Sequence, residues 1–331
     1  MFFSIITPIY KCPIETEEFL SSLVHQNYTD FEIILIEDGK EDRSKDVISS
    51  FQDKLDIKYF FKENTSVSYR RNYGMSVAKG DYYVFFDSDC IIPENYFNIV
   101  RKEITENNIK AWGGPDRDHE SFSNLQKAIN YSMTSVFTTG GIRGGKKKIG
   151  KYHPRSFNMG IAREIFKATG GFPTVVQPGE DIIFSINIQK SGYSAHLIHN
   201  AFVYHKRKIS LKKYFRQISS FGFVRYPISL LFPDTFSLVF LMPSIYILGF
   251  MFLILMAVFV HPSFVLPLVL HYFLIFIDAA INTRKINIAA LSIVTSFIQF
   301  CAYGTGFIKS VAVRMLKGKN AFFDKYGYSK L

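Results

Sequence analysis

Asp87-Ser88-Asp89 closes a run of apolar and aromatic residues, Tyr82 to Phe86. The run reads as a buried strand. Side chains alternate faces along an extended chain, so the carboxylates of Asp87 and Asp89 point the same way. Hard oxygen ligands on one side of a strand end suit Mg²⁺ or Mn²⁺, which usually take one or two carboxylates plus substrate phosphates. Asp-x-Asp is also an ordinary solvated exit from a strand, so the pattern needs partners elsewhere. Glu180-Asp181 opens a helix running from Ile182 to Lys190, and a helix N-terminus favours carboxylates. Arg70 and Arg71 lie side by side on another helix, facing different directions. A planar, permanently charged donor suits a diphosphate or a nucleoside, with a surface salt bridge as the alternative. His205, in Val203-Tyr204-His205, ends a further apolar stretch, where a lone histidine is often structural.

These residues must be positioned by the elements around them. Phe2 to Thr7 reads as a strand, Glu15 to His25 as a helix, and Phe31 to Ile36 as a strand. Ile57 to Phe61 follows as a strand, then Ser66 to Ala78 as a helix, then the strand Tyr82 to Phe86. Strands alternating with helices imply right-handed crossovers and a mostly parallel α/β sheet. In such sheets ligands gather at the carboxyl ends of the strands. Thr7-Pro8, Glu37-Asp38 and Asp87-Ser88-Asp89 then line one edge. No glycine-rich phosphate fingerprint follows the first strand, which argues against a dinucleotide-binding Rossmann enzyme and against a P-loop.

The joint pattern resembles family 2 glycosyltransferases over about residues 2 to 230. The residues that carry the resemblance are Ser4-Ile-Ile-Thr7-Pro-Ile-Tyr10, Leu35-Ile-Glu37-Asp38-Gly39, Arg71-Asn72-Tyr-Gly74 and Ala78-Lys-Gly80-Asp81. Phe86-Asp87-Ser-Asp89, Asn158-Met-Gly160, Gly170-Gly-Phe172, Gly179-Glu180-Asp181 and Gly192-Tyr193 continue it. The resemblance implies a GT-A fold, nucleotide-sugar donors and inversion at the anomeric carbon. It implies that Asp38 accepts from a uracil imide N–H, with Thr7 and Pro8 walling the base; Glu37 stands where the family more often has Asp. It favours Arg71 over Arg70 as the diphosphate or uridine contact. Asp89 is expected as the direct metal ligand, Asp87 at the metal site through the ribose or a metal-bound water, Ser88 as part of the nucleotide site, and His205 as a further metal ligand or diphosphate contact. Asp181 matches the general base that takes the acceptor hydroxyl proton, and Glu180 a residue that positions acceptor or sugar. Processive members carry Gln-x-x-Arg-Trp; this chain has Arg216-Gln217 and later Arg225-Tyr226 instead, which favours addition of a single sugar.

Composition changes along the 331 residues. Residues 1 to about 230 mix charged and apolar segments, whereas Phe236 to Val260 is uncharged for longer than the ~20 residues that span a bilayer core. Phe264 to Ile277 and Ile288 to Ile308 are further apolar runs. The net charge of +11 divides about evenly between the two parts. In the tail it clusters at Arg284-Lys285 and at Lys309, Arg314, Lys317 and Lys319, and the positive-inside rule would put both clusters in the cytoplasm. A third full crossing breaks that rule, so the third run is either a re-entrant hairpin bent at Gly304 and Gly306 or an exception. Two basic features remain: the loop Arg143 to Lys148, and an amphipathic stretch from Leu211 to Phe223 behind Lys206 to Lys208, suited to a membrane interface. Three scattered cysteines, Cys12, Cys90 and Cys301, form neither a disulfide framework nor a zinc pattern. The chain opens directly on a strand, with no signal peptide expected.

The expectation is a GT-A domain over 1–205, a basic interfacial helix over 206–230 and a membrane region over 231–331. The expected protein is a membrane-anchored bacterial-type enzyme of surface-glycan synthesis, held at the inner (plasma) membrane with its catalytic domain cytoplasmic. It uses Mn²⁺ or Mg²⁺, a UDP-sugar donor and a lipid-linked or glycan acceptor, touches membrane lipids and binds no nucleic acid. Transfer to polyprenyl phosphate, or a non-catalytic scaffold role in a synthase complex, are the alternatives. Side chains near Trp112, Asp116 and Asn158 are expected to tune the sugar pocket.

Overall fold

The computed structural model describes residues 1–39, 44–139, 152–174, 178–207 and 210–328. The basic loop Arg143 to Lys148 and Lys208 lie outside the described residues. The chain forms two compact units, Met1–Arg117 with Tyr152–Lys206, and Asp118–Lys151 with Arg207–Leu331.

Among the described residues, ten strands build the first unit: β1 (Phe3–Ile9), β2 (Phe31–Glu37), β3 (Ile57–Phe61), β4 (Tyr82–Phe86), β5 (Cys90–Ile91), β6 (Ala111–Gly113), β7 (Asp116–Arg117), β8 (Asn158–Ala162), β9 (Ala195–Leu197) and β10 (Val203–His205). Seven of them form a sheet in the order β3-β2-β1-β4-β8-β6-β9, in which only β8 runs against its neighbours. Thr7 pairs with Leu35, Ile9 with Glu37 and Ile6 with Phe85. That register brings the carboxyl ends of β1, β2 and β4 to one edge, as the sequence implies. The three short strands form a second sheet, β5-β10-β7, beyond the end of β4.

Alternation along the strands makes two apolar faces. Ile5, Ile33, Leu35, Val84 and Phe86 pack on Phe19 and Leu20 of the helix Pro13–Val24 and on Phe97 and Val100 of the helix Tyr96–Asn107. Ile6, Ile34, Ile36 and Phe85 pack on Met75, Ile165 and Phe184 across the sheet. Gly74 decides how close the helix Val67–Val77 comes, because a Cβ there would overlap the Ile6 side chain. Asn72 on the same helix clasps the backbone of Phe172, donating to its carbonyl and accepting from its N–H, both at 2.8 Å. The Arg71-Asn72-Tyr-Gly74 and Gly-Gly-Phe172 segments are therefore two halves of one fastening beneath the strand ends.

Among the described residues, the second unit contains three helices long and apolar enough to cross a bilayer: Leu238–Phe259, Pro262–Thr283 and Ile286–Lys317. The third is one unbroken helix of 32 residues, about 48 Å at 1.5 Å per residue. It has no hairpin at Gly304 or Gly306. Those glycines serve close packing instead: a Cβ on Gly306 would overlap the Ser219 carbonyl oxygen, and one on Gly222 would overlap that of Tyr303. Small residues let helix backbones approach in this way. The partner helix, Leu211–Leu231, runs beyond the expected amphipathic stretch and carries Pro227 inside it. The helix Asn124–Thr134 also belongs to this unit, with the Ser132 hydroxyl 2.6 Å from that of Thr295 and the Tyr131 hydroxyl donating to Asp278 at 2.6 Å. Asp278 lies within the second apolar helix rather than at its end.

Candidate active site

The carboxyl edge of the sheet is acidic, and two arginines in the first turns of the helix Val67–Val77 answer it. Ser66 caps that helix, its hydroxyl accepting from the Tyr69 N–H at 3.1 Å. Arg71 is 3% exposed, and its guanidinium bridges two segments far apart in sequence. Nη2 donates to Asp87 Oδ1 at 2.9 Å, and Nη1 to Glu180 Oε1 at 3.2 Å. Phe172 lies over the guanidinium, 5.3 Å from ring centroid to carbon. Burial raises the Glu180 pKa, the neighbouring Asp181 raises it further, and Arg71 opposes both. Asp181 is placed by its own helix start: Oδ1 accepts from the Ile182 N–H at 2.8 Å, and Oδ2 lies 3.5 Å from Arg155 Nη1.

A second cluster forms around Asp89. Its Oδ1 is 3.1 Å from His205 Nε2, and its backbone carbonyl accepts from the Lys206 N–H at 2.9 Å. The pairing of β10 with β5 and β7 is what returns His205 to this strand end. The imidazole packs on Phe157 at 4.9 Å, and its Nδ1 is 4.0 Å from the buried Asp116 carboxylate. Asp89, Cys90 and His205 offer three donor atoms within 4.8 Å of one another. Cys90 is buried against the Phe157 carbonyl and its thiol pKa is pushed well up by burial, so the carboxylate and the imidazole are the better donors. Ser88, between the two aspartates, has its hydroxyl 3.2 Å from Cys12 Sγ.

At the β2 end, Asp38 Oδ1 accepts from the Asn64 N–H at 2.8 Å. Glu37 faces away and is wholly buried, accepting from Ser44 at 2.6 Å and Tyr59 at 2.8 Å. The extra methylene of a glutamate spans to those two hydroxyls. Thr7 is also wholly buried, so of the expected pair only Pro8 presents surface.

The structure therefore joins Asp87 to Arg71 and Glu180, leaves Asp181 next to Glu180 with Arg155 as its ion partner, joins Asp89 to His205, and leaves Asp38 with Pro8 at the β1–β2 end. Asp87 turns to Arg71 rather than into the Asp89–His205 pair. Trp112 and Asn158 are core residues: Gly160 makes room for the indole, while Asn158 accepts from Tyr96 at 2.6 Å and donates to the Ala201 carbonyl at 2.8 Å. Sequence reasoning missed Arg155, Phe172 and the placement of Asp116 behind His205. Only Phe172 left a signal, in Gly170-Gly-Phe172.

Comparison with known proteins agrees with this architecture. Among solved structures, a Pyrobaculum calidifontis mannosyltransferase, PcManGT, determined in complex with GDP-Man and Mn²⁺, superposes with a TM-score of 0.57 at 15% identity, covering 93% of this chain and 86% of that one. S. aureus TarS 1-349 in complex with UDP-GlcNAc gives a TM-score of 0.52 at 16% identity, covering 95% and 92%. In sequence, glycosyltransferase GlyG of Streptococcus pneumoniae serotype 4 is 33% identical over 106 residues, 31% of this chain and 35% of that protein. GgaB, a minor teichoic acid biosynthesis protein of Bacillus subtilis (strain 168), is 33% identical over 102 residues, 30% of this chain and 11% of that protein. The match thus spans well under half the length of these relatives. Residues 4–170, just over half of the chain, match the family described as Glycosyl transferase family 2, and the chain belongs to that family.

Proposed function

We propose that the chain is an inverting, metal-dependent glycosyltransferase that moves one sugar from a UDP-sugar to a hydroxyl of a lipid-linked or surface-glycan acceptor. The observation that carries the reading is Arg71, one buried guanidinium that holds the Asp87 strand end against Glu180, the residue next to Asp181 at the same helix start. Donor-side and acceptor-side acids are thereby fixed relative to each other before any substrate arrives, the preorganisation that a displacement at carbon requires. Family membership supplies the reaction class. The UDP-GlcNAc complex of TarS and the teichoic-acid role in the name of GgaB support the donor and the envelope setting.

In this reading Asp38 accepts from the imide N–H of the base, beside Pro8. Asp89 and His205 fit a divalent cation: the carboxylate suits Mn²⁺ or Mg²⁺, and the imidazole nitrogen 3.1 Å from it favours Mn²⁺ over the harder Mg²⁺. Such an ion, when bound, offsets charge on the departing diphosphate. Asp87 would contact the ribose or the hydration shell of such an ion, and Ser88 would belong to the nucleotide site. Asp181 takes the proton of the acceptor hydroxyl as its oxygen bonds to the anomeric carbon. The bond from that carbon to the diphosphate oxygen breaks on the opposite face, which inverts the centre. Glu180, its pKa raised by burial, orients the sugar or the acceptor. The first compact unit, Met1–Arg117 with Tyr152–Lys206, is the catalytic domain; in the second, the helix Leu211–Leu231 is the interfacial helix and the apolar helices after it are the membrane anchor, with catalysis at the cytoplasmic face of the inner membrane. The three apolar helices support the anchoring.

The test is a donor panel of UDP-, GDP-, CDP- and dTDP-sugars offered to the purified full chain with Mn²⁺ or Mg²⁺, scored by release of nucleoside diphosphate. UDP release above background supports the reading. Absence of release from every donor in both metals favours a non-catalytic scaffold.

A further inference from the structure

The three apolar helices are not alike. Only 6% of the apolar stretch of Leu238–Phe259 and 17% of that of Pro262–Thr283 is buried, against 39% for Ile286–Lys317. One side of this third helix is polar and covered. Ser292, Thr295 and Ser296 are wholly buried. Thr295 donates to the Ala128 carbonyl at 3.1 Å, and Gln299 accepts from the Tyr214 hydroxyl at 2.6 Å. Ala302 packs with Ile218 of the helix Leu211–Leu231 and with Ile129 and Met133 of the helix Asn124–Thr134. The other side is apolar and bare: Val294, Phe297, Ile308 and Met315 are exposed and spaced by near-whole numbers of turns.

Where these contacts fall along the helix decides how it can meet a bilayer. A hydrocarbon core takes about 20 residues of helix, and any such stretch cut from 286–317 contains residues 298–305. In a crossing, Gln299 and Ala302 would therefore lie in hydrocarbon, and Tyr214 and Ile218 with them. Lys212, Lys213 and Arg216 flank Tyr214 and are exposed, and the helix they open has no side-chain cap at Ser210. A crossing would strand three cations and the free first-turn N–H groups of that helix in lipid, which tolerates neither. We infer that Ile286–Lys317 lies in the plane of one leaflet, its Val294–Met315 side seated on the acyl chains, and that only Leu238–Phe259 and Pro262–Thr283 enter the hydrocarbon, as a hairpin. This rests on the membrane-anchoring reading above and gives it two passages through the core instead of three. Arg284-Lys285 and the cluster Lys309, Arg314, Lys317 and Lys319 then share one face of the membrane, as the positive-inside rule requires. Lys309 and Lys317, exposed beside the apolar side, match anionic headgroups.

Two measurements on the full chain test the inference. In sealed inverted membrane vesicles from expressing cells, a membrane-impermeant amine reagent should modify Lys212, Lys285, Lys317 and Lys319 together, as read by mass spectrometry. Protection of Lys285 alone, or of Lys317 and Lys319 alone, until detergent opens the vesicles overturns it. This arm needs no substitution. In the second, Val294→Trp, Ile308→Trp and Met315→Trp, all at exposed positions, are reconstituted singly into vesicles of phosphatidylcholine and phosphatidylglycerol. Each should be quenched more by a nitroxide near the headgroup than by one deep in the acyl chain, and Phe252→Trp in the hairpin should show the reverse; Trp112 is buried in the first unit and supplies the background to subtract. From 294 to 315 a helix advances about 32 Å, so in a crossing the three positions would sample widely different depths. Quenching that changes from shallow to deep among them overturns the in-plane helix while the anchoring stands. Absence of quenching at every position, Phe252→Trp included, removes the anchoring reading and this inference with it.

Discussion

Replacing Arg71 with Met removes one buried charge and leaves two carboxylates without their counter-ion. The Met side chain keeps most of the hydrocarbon stem beside Phe172, so the change is mainly electrostatic. Breaking a buried ion pair on one side costs about 3–5 kcal/mol. Asp87 is 35% exposed and its share is screened by water, whereas the Glu180 side chain is 14% exposed and feels most of the loss. A destabilisation of about 3 kcal/mol near pH 8 follows, roughly 150-fold in the folding equilibrium. The pH dependence carries the sharper test. Burial already raises Glu180, and loss of Arg71 raises it further. A carboxyl whose folded pKa lies above its unfolded value binds protons more tightly when folded. Its stabilising contribution is present below the unfolded pKa and is lost as pH rises through the folded one. The Arg71→Met deficit should therefore be largest at pH 8 and shrink toward pH 5. The assay is denaturant unfolding in detergent followed by Trp112 fluorescence; Trp112 is the sole tryptophan and lies buried in the first unit. A deficit of equal size at pH 5 and pH 8 refutes the reasoning.

Three other substitutions probe separate parts of the account. Asp181→Asn should lower kcat by about 10²–10⁴-fold with UDP affinity unchanged, as for loss of a general base; near-full activity points to an acceptor already ionised, such as polyprenyl phosphate. Glu32, wholly buried at the opposite edge of the sheet, would be raised by burial but is held below the usual carboxylate range by Lys58, the Ser4 hydroxyl and the Lys79 N–H. That contribution is present above the unfolded pKa and is lost as pH falls through the folded one, so Glu32→Gln should destabilise at neutral pH and flatten the acid limb of a Trp112 unfolding profile. Gly306→Ala, which sets a methyl against the Ser219 carbonyl, should cost the second unit about 1–3 kcal/mol, read as a lower thermal midpoint in detergent.

Runs of apolar and aromatic residues bounded by polar ones, broken only by Lys58, made Ile57–Phe61 and Tyr82–Phe86 legible to the residue. β1 runs two residues past its expected end, through Pro8. The proline is tolerated because β1 pairs with β4 only as far as Ile6, leaving that side of the strand free of ladder partners. The strands β5, β7 and β10 have two or three residues each, too few to carry any periodicity, so the return of His205 to Asp89 had to come from the fold. Gly304 and Gly306 looked like a bend because glycine disfavours helix locally. Tertiary packing against Leu211–Leu231 and the first apolar helix overrides that preference. Asp38, Asp87, Asp89 and Asp181 stand at element ends, which periodicity exposes. Trp112 and Asn158 lie inside the sheet, where only three-dimensional packing separates a core residue from a pocket wall.

Calorimetry of UDP binding with Mn²⁺ or with EDTA, in the unmodified chain and in Asp89→Ala, tests the central claim most directly. The account predicts one UDP site whose affinity depends on the metal, with that dependence lost in Asp89→Ala while UDP selectivity over CDP survives. UDP binding that is equally strong in EDTA, or that keeps its metal dependence without the Asp89 carboxylate, contradicts it.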